Sequence, residues 1–235
     1  ISVIDSLLVK GDVSYETGHL CYDGNIDING GLKNGFKING TDIKINAIDG
    51  GEIHAQGDVT IINGANNAKI YSRGHVYAKF IHHSEIHCLG NVVVEKEIVD
   101  TQIESSGACQ IMTGDIINST INFNQGVHAK NIGTERTAPN WIVVGQDLFI
   151  INELKSIESK TADLEKKKLH LEGKKDIDAA YDDLKDQIDN LNQEKANLID
   201  RSKSNMGKSV VIAEGKVWAG TIIHSEHTQK RIRET

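Results

Sequence analysis

Ten histidines in 235 residues are the first place to look for chemistry, because imidazole binds metals and carries protons near neutral pH. Their spacing argues against both roles. His54 and His87 hold equivalent places in an internal repeat, in series with Tyr71, Glu104 and Asn122. On a stack of coils the two rings stand two levels apart, about 9–10 Å. Zinc–nitrogen bonds of about 2.0–2.1 Å cannot span that gap. Asp58, His75 and Asn91 form a second series beside the repeat glycines, the pattern of side chains that satisfy turn backbone. His82-His83 follows Phe80-Ile81 at a corner, and His224 and His227 lack neighbouring Cys or carboxylates at metal-site spacing. Cys21, Cys88 and Cys109 give an odd count with no C-x-x-C step. Cys88 and Cys109 fall on apolar positions, where a thiol acts as a small hydrophobe. There is no P-loop, no G-x-S-x-G and no Rossmann glycine pattern. The residues therefore predict no catalytic centre, no cofactor site and no metal site. His54, Tyr71, His87 and Glu104 read instead as an outward ladder and a candidate interaction surface.

What must position that ladder is a repeat of about 17 residues. Glycines fall at Gly24, Gly40, Gly57, Gly74, Gly90 and Gly107, and apolar positions recur at Phe36, Ile53, Ile70, Ile86, Ile103 and Ile121. Val59 and Ile61 share one side while Thr60 takes the other, and Ile53 and Ala55 do the same around His54. That period of two is strand behaviour. Each unit reads as a pair of short strands, too short for a leucine-rich or ankyrin repeat. The Asn29-Gly30, Asn39-Gly40 and Asn63-Gly64 steps are expected to supply positive φ at corners. A single proline, Pro139, fits a chain whose N–H groups serve ladders. The predicted fold is mainly β: a single-stranded parallel β-helix, right-handed by preference, of about eight turns over residues 1–151.

At Asn152 the composition shifts to Lys, Glu, Asp and Leu, and apolar spacing changes to threes and fours. Leu154, Ile157, Thr161, Leu164, Lys168 and Leu171 form one seam; Ile177, Tyr181, Leu184, Ile188, Leu191, Lys195 and Leu198 form another. Gly173 ends the first helix and Asp176 caps the second. Residues 152–206 thus predict an antiparallel coiled-coil hairpin inserted in the β-helix, with Thr161, Lys168 and Lys195 weakening its seam. Lys174 and Lys175 at its tip form a second candidate docking point. Strand grammar returns over residues 207–228 as a closing turn, and residues 229–235 read as a frayed, charged tail.

A net charge of −7 disfavours nucleic acid as the main partner. No 18-residue apolar run predicts a transmembrane segment. The cysteine usage fits a reducing cytoplasm. Because the chain starts at Ile1 rather than Met, the reading expects a piece of a longer protein.

Two segments, Thr17-Gly18-His19-Leu20-Cys21-Tyr22-Asp23-Gly24-Asn25-Ile26-Asp27-Ile28 and Gly31-Leu32-Lys33-Asn34-Gly35-Phe36, resemble the opening turns of the bacterial flagellar assembly protein A family. Ala78-Lys79-Phe80-Ile81-His82-His83-Ser84, Ile132-Gly133-Thr134 and Val217-Trp218-Ala219-Gly220-Thr221-Ile222 extend the likeness along nearly the whole chain. A double-glycine stretch usual in the family is replaced here by Met112-Thr113-Gly114-Asp115-Ile116-Ile117-Asn118-Ser119. The resemblance implies an upstream domain and a cytoplasmic, non-enzymatic role in flagellar assembly or placement, through other bacterial proteins. It brings no catalytic residues. Two alternatives stay open: a bactofilin-like protein that associates end to end as a homo-oligomer, and a hexapeptide-type acyltransferase. The second is suggested by six-residue steps such as Ile86 to Val92 to Ile98, against a period that holds at 16–17 rather than 18.

Overall fold

Alternating aliphatic residues force their strands to share one interior, and the chain meets that demand by coiling. The computed structural model describes residues 6–171, 178–204, 209–225 and 228–233. It divides into two compact units, Ile1–Leu148 with Gly207–Thr235 and Phe149–Met206. The first is a β-solenoid of about 8 turns, in which every pairing among the described strands is parallel except the last.

Each coil crosses three parallel ladders, not two. Ladder A aligns Leu7, Ile26, Ile43, Val59, Val76, Val92, Cys109, Val127 and Val211. Ladder B aligns Val13, Leu32, Ile48, Ala65, Ile81, Ile98, Ile116, Ile132 and Val217. Ladder C aligns Leu20, Ile38, Ile53, Ile70, Ile86, Ile103, Ile121, Ile142 and Ile223. The pair of strands per repeat expected from sequence is therefore corrected to three. Long strands such as Ile43–Ala55 run through the A–B corner, where the register slips between Ile45 and Ile48. A bend without a break in pairing leaves no turn signal to read. The near-hexad spacing follows directly, since Ile53, Val59 and Ala65 are successive interior positions on C, A and B. Phe36 is also corrected: Ile38, not Phe36, lies under Ile53. Phe36 is only partly buried and packs edge-on to Tyr15, with ring centres 5.1 Å apart.

The core is a column mainly of Ile, Val and Ala, with Leu32, Phe123, Cys88 and Cys109 among them, at exposures of 0–8%. Each buried Ile contributes about 1.5–3 kcal/mol relative to leaving it in water, so stacking pays for the ordering of the coils.

Polar spines hold the corners. At the C–A corner, Asn25, Asp42, Asp58 and Asn91 each accept, through a side-chain oxygen, a backbone N–H of the following coil, at 2.7–3.2 Å. His75 does the same with Nδ1, taking the Asn91 N–H at 2.8 Å. An acceptor Nδ1 fixes the proton on Nε2. His75→Asn, which keeps an acceptor, is expected to leave stability within about 0.5 kcal/mol. His75→Ala is expected to cost about 1 kcal/mol. Urea unfolding of the pair tests this.

At the B–C corner, left-handed backbone falls on Asn67, His83, Asp100 and Asn118, with φ of 47–52°. The next residues, Ser84, Thr101 and Ser119, accept the N–H of Ala68, Ser84 and Thr101 in turn. Gly30, Gly40 and Gly64 do not have the positive φ expected of them. They are small because coils pass closely: a Cβ on Gly64 would stand 2.5 Å from the Phe80 ring.

The second unit pairs α1 (Leu148–Leu171) with α2 (Asp178–Ser204). Lys195 Nζ lies 2.7 Å from Glu158 Oε1, and Lys168 Nζ lies 4.9 Å from the centre of the Tyr181 ring. Those two contacts run in opposite chain directions, so the helices are antiparallel. They also show how two of the seam lysines are accommodated. Thr161 Oγ1 is buried without a hydrogen-bond partner. α1 starts at Leu148 rather than at 152, because Asp147 precedes it at a position that favours Asp. Thr228–Arg231 is a strand antiparallel to Ile222–Ser225, where the sequence reading had a frayed tail.

Candidate interaction face

Outward neighbours on ladder C build the site. Because every strand there places one aliphatic inward between two outward residues, the residue after each interior Ile lines up with its counterparts. The outer column runs Cys21, Asn39, His54, Tyr71, His87, Glu104, Asn122, Val143 and His224. The structure thus brings His54, Tyr71, His87 and Glu104 into one file. Lys174 and Lys175 lie outside the described residues.

The rings are stacked. His54 and Tyr71 have centres 4.8 Å apart with planes 13° from parallel; Tyr71 and His87 are at 5.2 Å and 4°. Strand spacing sets these distances, about 4.7–4.9 Å per rung. A second file, two residues earlier on each strand, carries alternating charge: Lys37, Glu52, Lys69, Glu85. Glu52 binds Lys37 Nζ at 2.7 Å and His54 Nε2 at 2.5 Å. Glu85 binds His87 Nε2 at 3.0 Å and Lys69 Nζ at 3.3 Å. His87 Nδ1 also lies 3.3 Å from Glu104 Oε2.

The hydrogen bond from Lys37, and then that from His54, holds the Glu52 carboxyl below its ordinary range. The His87 contact does the same for Glu85. Both carboxylates contribute stability above the usual carboxylate range, and that contribution fades as pH falls through their lowered values. Burial raises the Tyr71 phenol above its ordinary value. Asn122 is 5% exposed and its amide makes no hydrogen bond.

The sequence reading found the ring file but missed Glu52, Lys69 and Glu85. The signal was present as Glu-Ile-His at residues 52–54 and 85–87 around Lys-Ile-Tyr at 69–71. On a strand, residues two apart share a face.

This arrangement fixes rings and charges but converges on no reacting atom. Among the described residues no group of three or more His, Cys, Asp or Glu is placed to hold a metal ion. His82 pairs with Glu97 at 3.0 Å, His83 with Asp100 at 3.3 Å and His128 with Glu214 at 2.9 Å, each imidazole with a different carboxylate.

The cysteines are free. Burial pushes the Cys88 thiol up to about 12 and raises Cys109 as well, while Cys21 is exposed. One thiol of the three is expected to react with a thiol reagent in the native chain, and all three after unfolding. Rapid native reaction of two would contradict the structure.

No helix among the described residues is long and apolar enough to cross a membrane. Residues 5–235 match the family model described as Flagellar Assembly Protein A beta solenoid domain. No curated protein and no solved structure matches the chain.

Proposed function

The chain belongs to the Flagellar Assembly Protein A beta solenoid family, and from that premise we propose that it is a non-enzymatic scaffold acting in flagellar assembly or placement. Its work is protein–protein binding in the cytoplasm, with the outer file of ladder C as the recognition surface. The observation that carries this reading is the stacked series His54, Tyr71, His87, locked at its edges by Glu52 and Glu85. Rigid aromatic and charged side chains held before binding lose little freedom when a partner docks. Nothing in that series is arranged as nucleophile, base and orienting group.

The test is genetic replacement in the flagellated source cell. Alanine at His54, Tyr71 and His87 together is expected to leave the solenoid folded, by circular dichroism, while flagellar number or placement is disturbed. A second strain lacking residues 153–205, joined by a short linker, asks whether the hairpin contributes. Normal flagella in both strains would overturn the scaffold reading.

A further inference from the structure

The stack of rings stops abruptly at His54, and the ring there is unusually well held. One face lies on Tyr71. Its Nε2 is fixed 2.5 Å from Glu52 Oε1, and the other Glu52 oxygen is held by Lys37. The opposite face turns toward the rung of Asn39, and beyond that toward Cys21. Both of those side chains are short. The file that is filled by rings at three rungs therefore becomes a depression of about 570 Å³ lined by Cys21, Asp23, Lys37, Asn39, His54 and Gln56 among others.

We propose that this depression seats one aromatic side chain of a partner protein, stacked on the free face of His54 in the rung of Asn39. The inference rests on reading the outer file of ladder C as a recognition surface, and it names what that surface recognises. A planar ring placed there continues the column at its own spacing, in the offset-stacked geometry that aromatic pairs favour. The interior faces of Tyr71 and His87 are already covered by their neighbours, so the end of the stack is where a new ring can lie flat. Asn39 and Gln56 supply donors and acceptors for the peptide backbone that carries the ring. A nucleobase is the poorer fit: Asp23 lines the depression, Lys37 is already engaged by Glu52, and the chain carries a net charge of −7, so a phosphate finds no free basic group among the lining residues named.

The exposed Cys21 thiol at the foot of the depression reports occupancy. Its alkylation by iodoacetamide in the full chain is followed with increasing N-acetyl-tryptophanamide or N-acetyl-tyrosinamide. Both are expected to slow the reaction, about threefold at twice the dissociation constant, and to move the His54 ring proton signals upfield. N-acetyl-leucinamide is expected to do neither. Asn39→Phe places a ring of the chain's own in the rung next to His54; it is expected to protect Cys21 and abolish the response. Equal protection by the leucine amide, or no protection and no His54 shift up to the solubility limit of the aromatic amides, would overturn the proposal. Stronger protection by adenosine monophosphate would replace it with a nucleotide site. The His54 signal is read on the unsubstituted chain, so a poorly folded Asn39 variant does not spare the idea. Defective flagella after the triple alanine replacement, together with no ring-dependent protection of Cys21 in the unsubstituted chain, would keep the scaffold reading and remove this seat alone.

Discussion

Alanine in place of Gly114 is expected to destabilise the solenoid by about 3–5 kcal/mol. A Cβ there would stand 1.3 Å from the carbonyl oxygen of Lys96, a covalent-bond distance between atoms that are not bonded, and 2.5 Å from its carbon. The obstacle is backbone, so no side chain can swing aside. Interior spacing explains why the chain is so tight at this point. From Val92 to Ile98 the step between ladders A and B is six residues, whereas from Cys109 to Ile116 it is seven, with both pairs in register. The extra residue must fold against the coil beneath it. The backbone conformation is not at issue, since Gly114 is not among the residues with positive φ. Gly11→Ala is the matched control: nothing lies within 4 Å of the added methyl, and the change is expected to stay within about 0.5 kcal/mol. Urea midpoints of the two variants and the parent decide the matter, and a Gly114→Ala chain as stable as the parent would show that the coils can spread at this corner.

A comparable loss, about 2–5 kcal/mol, is expected for Ile70→Ala. Ile70 is 0% exposed and sits between Ile53 below and Ile86 above on ladder C. Removing three carbons leaves a hole bounded by stacked strands that cannot collapse along the axis without breaking their hydrogen bonds. Ile62, 53% exposed on the same coil, serves as the comparison and is expected to tolerate alanine within about 0.5 kcal/mol. Because repeat stability is roughly a sum over coils and their interfaces, the damage is expected to be local. Hydrogen exchange in the Ile70 variant should lose protection first over strands Ile43–Ala55, Val59–Ser72 and Glu85–Cys88. Uniform loss across the solenoid would argue for a more cooperative unit.

Much of this architecture was legible because side-chain burial repeats with the coil. Val59, Val76 and Val92 stand in one file as their spacing required, and His54, Tyr71, His87, Glu104 and Asn122 share another. Ladder B escaped notice for a physical reason: the chain enters it through register slips inside continuous strands, with Ala65 and Leu32 diluting the run of isoleucines. Phe36 was misplaced because aromatic bulk resembles core, whereas its ring packs beside Tyr15. The start of α1 was obscure since Leu148-Phe149-Ile150-Ile151 is as apolar as any strand here. Stacking angles and the carboxylates that lock the imidazoles need coordinates; the spacing gave the file and not the contacts. The repeat glycines were legible as positions but not as causes, because crowding between coils and left-handed backbone select the same residue.

The final strand, Thr228–Arg231, turns back along Ile222–Ser225. A hydrogen-bonded edge of reversed polarity, bearing Lys230 and Arg231, offers the wrong template for one more coil running in the common direction. At ladder C the edge with which a further parallel coil would pair is taken by the chain's own strand of opposite direction.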